Sequence, residues 1–482
     1  MFNVAKKQLA NFINASTHIA PLAVLRVAFG SIMLISVIRF ILKGWVMAFY
    51  IKPEFHFTFY GFDWVKPLGA TGMYLLFATL VVAAIMVTIG LFYRVAIITF
   101  FACFTYVELI DKTTYLNHYY FISVMAFLMI WVPAHRYFSV DIVRKPNLSV
   151  THVPAWTINI FKLQLVLVYF FAGVSKLTYD WLILAVPLKI WLPAQSNLPI
   201  IGWLLNYTWV AYVFSWFGAL FDLFIGFLLL KSNTRTLAYV LVVIFHIATG
   251  WFFKIGMFPY IMIFVTIIFF SADAHIKIIN FLRGLVFSKE LTSASTSEFS
   301  AHHSKIDTKV SPTGGDLEGA VGNAYHLSVS KSKIIYTILA IHFAIQLLLP
   351  FRFALYPGDL YWTEEGYRFS WRVMLMEKGG TAFFYVKDPA TGRRSEIVNS
   401  QYLTSFQEIQ MSTQPDMILQ YAHILADVYR KKGIKDPIIT AQSYVTLNGS
   451  GSRLYIDSTI NLAHEQESFG HKRWILPFNN KN

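Results

Sequence analysis

AWTINIFKLQLVLVYFFAGVSKL, residues 155–177, runs for 23 positions with only two charges, Lys162 in its first half and Lys176 beside its end. About 20 mostly apolar residues are what an α-helix needs to cross the hydrocarbon core of a bilayer. Eight other stretches read the same way: 19–42, 71–92, 94–110, 118–133, 207–230, 236–253, 256–272 and 334–351. The pattern predicts an α-helical polytopic membrane protein of about nine transmembrane helices. Composition agrees with it. The 482 residues are 56% hydrophobic, 17% aromatic and 14% charged, where soluble proteins carry about 25% charged residues. With a mean hydropathy of +0.52, this excludes a soluble globular enzyme. The first span follows Lys6 and Lys7, lacks a small-residue cleavage site and contains Arg26 and Arg39, so it reads as a retained signal-anchor helix.

An odd number of spans puts the termini on opposite sides. With a cytoplasmic N-terminus, the segments up to residue 351 hold 15 basic residues inside and seven outside. That bias follows the positive-inside rule and sends the C-terminal part outside. It also explains the net charge of +14 without nucleic acid. From Arg352 onward the excess of basic over acidic residues is only two, so most of the charge belongs to the membrane body. The organisation expected is a transmembrane domain over 1–274 with spans one to eight, a flexible cytoplasmic linker over 275–333, a last span at 334–351, and an extracytoplasmic domain over 352–482. The linker is rich in Ser, Thr, Gly and charge, and its His302–His303 pair reads as solvated chain rather than a metal site.

Beyond the last span the signals are those of a small α+β domain. TAFFYVKD and GRRSEIVN form a hairpin pattern, and ITAQSYVTLNG and RLYID form a second strand pair. Between them PDMILQYAHILADVYRKKG is an amphipathic helix with Ile418, Tyr421 and Leu425 on one face and Gly433 as a stop. A single cysteine, Cys103, excludes an intrachain disulfide and any cysteine-based metal site, and no metal is expected.

Ionisable groups inside spans are costly, and each is a candidate for function. Asp222 lies in mid-span in GALFDLFIGFLLL, where it must pair, be protonated or line a wet cavity; a buried Arg or Tyr partner competes with a catalytic role. His246 lies in VVIFHIATGWFF, as a hydrogen-bonded core residue or a site residue. Lys176 ends the fifth span. Either it snorkels to the headgroups, or it points into an apolar cavity, where desolvation favours the neutral amine and lets it act as a base. On the expected topology Lys176 and Asn117-His118 emerge at the face that carries the soluble domain.

Segments spread along nearly the whole chain, in order, resemble the vitamin K-dependent γ-carboxylase family in its bacterial, HTTM-domain form. They are PLAVLRVAFG (21–30), GLFYR (90–94), DKTTYLNHYYF (111–121), HRYFSVD (135–141), HVPAWTINIFKLQLVLVYFFAGVSKLTYDW (152–181), DLFIGFLLL (222–230), FHIATGWFFKIGMFPYIM (245–262), EEGYRFSWRVML (364–375) and PDMILQYAHIL (415–425). The resemblance implies an enzyme of the carbon–carbon lyase class. It would oxygenate a reduced vitamin K, such as phylloquinol or menaquinol, with O2 to the epoxide. The strong base formed on the way would let CO2 add to glutamyl side chains of an exported protein or peptide. A glutamate γ-proton is too weakly acidic for any side chain to remove, which is why such chemistry needs the cofactor.

By motif the family's base corresponds to Lys176 and its active-site histidine to His118, tied to carboxylation. Asn117 would donate a hydrogen bond to a quinone oxygen, and His246 would stand at the cofactor. Tyr367, Ser370 and Trp371 fall on a segment near the glutamate site. The departures are Arg372 and Met376 where the family pattern has Asp and His, and TSFQEIQMSTQ before PDMILQY, which has no arginine to hold a carboxylate. Competing readings are a quinol epoxidase without carboxylation and a non-catalytic quinone-binding or transport protein; no inverted repeat supports transport. The setting expected is a bacterial plasma membrane, with the active site extracytoplasmic and lipid as the surrounding partner.

Overall fold

A computed structural model of the chain describes residues 13–253, 255–286, 324–325 and 327–478. Lys6, Lys7 and the His302–His303 pair lie outside them. Chain order gives α1 (Ala20–Leu42), α2 (Gly69–Ile89), α3 (Tyr93–Ile110), α4 (Asn117–Trp131), α5 (Trp156–Val174), α6 (Thr208–Leu230), α7 (Ser232–Phe252), α8 (Phe258–Thr266), α9 (Ala272–Val286) and α10 (Val329–Leu348). Among the described residues, seven helices are long and apolar enough to cross a membrane: α1, α2, α3, α5, α6, α7 and α10 with its 3-10 extension. Two of the nine expected spans are not among them. α4 has 15 residues and α8 has nine, so at 1.5 Å per residue both fall short of a hydrocarbon core of about 30 Å. α4 is buried along Phe121–Met129 by other helices, and its apolar run packs against protein. The linker also starts later than expected. Residues 275–286 continue α9, and α10 begins at Val329.

The helices pack in sequence, α1 on α2, α2 on α3, α3 on α4, and α6 along α5. Three of the resembling segments meet in one structural knot. The buried Arg26 guanidinium of α1 donates to the carbonyls of Ala134 and Phe138. Gly90, which ends α2 with a left-handed φ of +69°, leaves room for that guanidinium, which a Cβ would overlap. Asp141 accepts from the amides of Phe92 (2.8 Å) and Tyr93 (3.0 Å) at the start of α3, where free N–H groups favour an anion.

The C-terminal domain is the expected α+β unit. Strands β3 (Lys378–Lys387), β4 (Arg394–Ile397), β5 (Ile438–Leu447) and β6 (Arg453–Leu454) form one antiparallel sheet in the order β4-β3-β5-β6. An earlier pair, β1 (Ser16–His18) and β2 (His152–Pro154), lies at the base of the bundle. α11 (Ser405–Met411) carries a capping box, and α12 (Pro415–Lys431) lays Met417, Ile418, Tyr421, Ala422 and Leu425 on the sheet. Along β5 every second residue from Ile439 to Leu447 is buried, the period of a half-covered strand.

Charge fixes this domain to the bundle. Lys112, at the end of α3, meets Asp416 at 3.0 Å and Glu467 at 3.6 Å. Arg368 meets the same Asp416 at 2.6 Å. Burial opposes ionisation of Asp416, but Arg368 and Lys112 outweigh it and hold the carboxyl well below the usual range.

Candidate active site

The close crossing of α5 and α6 builds the first part of the site. A Cβ at Gly173 would lie 2.5 Å from the amide nitrogen of Leu223, so only glycine lets the two backbones approach this far. Three residues later Lys176 turns inward instead of toward headgroups and is 6% exposed. Its Nζ lies 2.7 Å from Asp222 Oδ2 and 3.3 Å from the Ala172 carbonyl, with the Trp181 ring 5.4 Å away. The partner of Asp222 is therefore neither an arginine nor a tyrosine but Lys176. The amine is not isolated in apolar surroundings either, as the cavity argument assumed.

Lys176 and Asp222 line an apolar chamber of about 100 Å³ together with His246, Tyr169, Trp181 and Phe258. His246 on α7 shares a hydrogen bond with the Tyr169 hydroxyl through Nε2 at 2.9 Å. Its Nδ1 is buried without a partner, an orphan polar atom in the chamber wall. A ligand with an apolar ring body and a hydroxyl or carbonyl edge fits such walls.

A second, larger cavity of about 520 Å³ adjoins the chamber; Ile255, Phe258, Val373 and Met374 line both. The Phe258 ring stands 5.8 Å from the ring of His118 and 5.6 Å from that of His246, between the two spaces. His118, Asn117 and Tyr367 belong to the larger cavity, not to the Lys176 chamber. Both ends of the Asn117 amide are engaged. Its Nδ2 donates to the Arg372 carbonyl at 2.6 Å, and its Oδ1 accepts from the Tyr115 hydroxyl at 3.0 Å. The second N–H of Asn117 Nδ2 remains free for the larger cavity, which is not the Lys176 chamber.

Ser370 and Trp371 line neither cavity. Ser370 donates to the Tyr367 carbonyl. Trp371 stacks on Tyr120 at 4.8 Å and donates to Gln346. They stabilise a wound loop in which Phe369, Trp371 and Met374 all have positive φ, a conformation that costs non-glycine residues energy and is held only by surrounding bonds. The Phe369 amide donates to Tyr115 at 2.8 Å, which ties the loop to the start of α4. The outcome of this winding is that Tyr367, Arg372, Val373 and Met374 reach the cavity.

The pattern of an HTTM domain matches residues 14–274, more than half of the chain. The pattern described as vitamin K-dependent gamma-carboxylase, lumenal domain, matches residues 331–481. This chain belongs to the vitamin K-dependent γ-carboxylase family. No solved structure matches it. The two matched regions divide the site between them. The HTTM region contributes Lys176, Asp222, His246, Asn117 and His118, and the lumenal region contributes Tyr367, Arg372, Val373 and Met374. Family membership brings with it reduced vitamin K as cofactor and glutamate-containing proteins as substrates.

Several residues on these walls escaped the sequence reading. Arg39 was noted only as a charge within the first span, yet it lines the larger cavity beside His118. Phe258, Trp181 and Met374 carried no signal that separates them from packing. Gly173 stood inside AGVSKL, and its role depends on a neighbour 50 positions away in sequence.

Proposed function

We propose that this member of the family is a γ-glutamyl carboxylase-like membrane enzyme that oxygenates a reduced vitamin K, menaquinol or phylloquinol, and couples that reaction to addition of CO2 to glutamyl residues of an exported protein. The observation that carries this reading is the buried Lys176–Asp222 pair in an apolar chamber that shares a wall with the larger cavity of His118 and Tyr367. When bound, the reduced quinone with O2 supplies a base stronger than any side chain.

The residues of the chain do the rest. Lys176 is the base that takes the proton of a quinol hydroxyl, and Asp222 at 2.7 Å stabilises the ammonium that results. The pair then carries no net charge, which suits an apolar chamber. His246 Nδ1 is available to a quinol oxygen, and Tyr169 orients the ring through Nε2. Apolar walls keep bulk water from the strong base. His118 and Tyr367 stand in the adjoining cavity, where a glutamyl side chain would enter. The lumenal-domain match and the distribution of basic residues support an active site on the extracytoplasmic side of the membrane.

The test uses the purified chain in detergent with reduced vitamin K, O2, a glutamyl peptide and labelled CO2. We expect epoxide and labelled peptide from the wild type, no epoxide from Lys176→Ala, and epoxide without label from His118→Ala. Unchanged epoxidation in Lys176→Ala would sink the mechanism. Epoxide without labelled peptide in the wild type would select an epoxidase that does not carboxylate.

A further inference from the structure

Arg39 is the charged group that nothing above accounts for. It lies near the end of α1, 13 residues from the structural Arg26, or about 20 Å along the helix. Among the described residues its side chain makes no hydrogen bond and no ion pair, and its Nε is buried without a partner. Its guanidinium carbon stands 5.2 Å from the centre of the Trp45 ring. A Cβ on Gly256 would come within 3.6 Å of its Nη2. Trp45 and Gly256 are both walls of the larger cavity, so the guanidinium sits in that wall. Arg372 joins it from the lumenal loop, 8% exposed, with its Nε unpartnered, its guanidinium 4.5 Å from the centre of the Phe353 ring and next to the Tyr361 hydroxyl. Among the described residues, no aspartate or glutamate lines this cavity.

An arginine within an apolar span is costly unless something neutralises it, and here two line one cavity with no anion among the described residues. We infer that Arg39, seconded by Arg372, is the anchor for the substrate's carboxylate, a glutamyl side chain entering the cavity beside His118. The inference rests on the carboxylase reading only for the choice of a glutamyl carboxylate; the need for an organic anion follows from the Arg39 guanidinium, which has no anionic partner among the described residues. The geometry suits the chemistry. A guanidinium pairs with a carboxylate through two parallel hydrogen bonds and fixes its orientation. Loss of a γ-proton leaves an electron pair shared with the carboxylate oxygens, so a cation at that carboxylate stabilises the charge that develops. TSFQEIQMSTQ has no arginine, and its Gln410 lines the cavity as a neutral residue. The positive charge is supplied instead from the first span and from the loop that follows Trp371.

Short fluorescent peptides that differ only in Glu or Gln test this with the full chain in detergent. The wild type is expected to bind the glutamyl peptide at least tenfold more tightly than the glutaminyl one. Arg39→Gln should bring that ratio below twofold, and Arg39→Lys should recover part of it. In turnover with labelled CO2, Arg39→Gln should raise the KM for the glutamyl peptide tenfold or more and shift the KM for the quinol less than twofold. Equal binding of the two peptides by the wild type, or an unchanged ratio in Arg39→Gln, overturns the proposal. If Arg39→Gln does not fold, the wild-type ratio and its loss in Arg372→Gln decide. A wild type that discriminates between the peptides but never incorporates label would refute carboxylation and leave the anion site standing.

Discussion

Lys176 and Asp222 exemplify what burial does to a charge. Neither group alone belongs in an apolar chamber, and breaking a buried pair by removing one partner costs about 3–5 kcal/mol. Asp222→Asn is therefore expected to lower the melting temperature as well as the rate. In the proposed mechanism the carboxylate stabilises the ammonium, so Asp222→Asn should slow epoxidation about 100-fold. The Lys176→Ala, Asp222→Asn double variant should be no slower than Lys176→Ala alone, because the two act as one unit. Initial rates of epoxide formation for the four proteins check this; additive losses would mean that the residues work separately. The sequence presented Lys176 and Asp222 as two separate problems in two separate spans. Their solution is a single contact, and hydropathy contains no term for it.

Among the elements, the crossing of α5 and α6 carries the site. Gly173 permits a backbone approach that places Lys176 within reach of Asp222. Gly173→Ala puts a methyl group against Leu223, an overpacking of about 1–3 kcal/mol. It should also separate the pair and remove most epoxidation without touching either charge. Gly284→Ala in α9 is the control. Nothing lies within 4 Å of its added Cβ, and alanine favours a helix interior over glycine by about 0.5–1 kcal/mol. Thermal melts with parallel rate measurements distinguish the two; a fully active Gly173→Ala would show that the close crossing is not needed. Most long helices were legible, since an apolar run of 18 residues or more has few other fates. α4 and α8 are the shorter runs, where protein and lipid bury the same side chains and only packing says which one does so.

For the whole molecule, the question is how the lumenal domain stays seated over the bundle. Lys112, Arg368 and Asp416 form the clamp, and each comes from a different stretch of chain. The folded pKa of Asp416 is depressed, so its contribution is present above the unfolded value of about 3.9 and is lost as pH falls below it. The melting-temperature advantage of the wild type over Asp416→Asn should be constant from neutral pH down to about pH 4 and shrink below that. An advantage that grows on acidification would reverse the sign and remove Asp416 from the clamp. The same seating brings the loop of Tyr367 and Arg372 over the cavity that holds His118 and Arg39.

Legible in the sequence alone were the membrane body, most of its long helices, the small sheet domain with its amphipathic helix α12, and the family. The first three follow from composition and short-range periodicity, and the family from ordered segments that resemble it, each contained in a short stretch of chain. Only the tertiary structure decided that Lys176 faces Asp222, that Asn117 and His118 sit one chamber away from Lys176, that Ser370 and Trp371 stabilise a loop, and that Arg39 faces a cavity. These are contacts between residues tens to hundreds of positions apart, set by how closely helices cross and where a domain docks. The free energy of a buried charge depends on those contacts far more than on its neighbours in sequence.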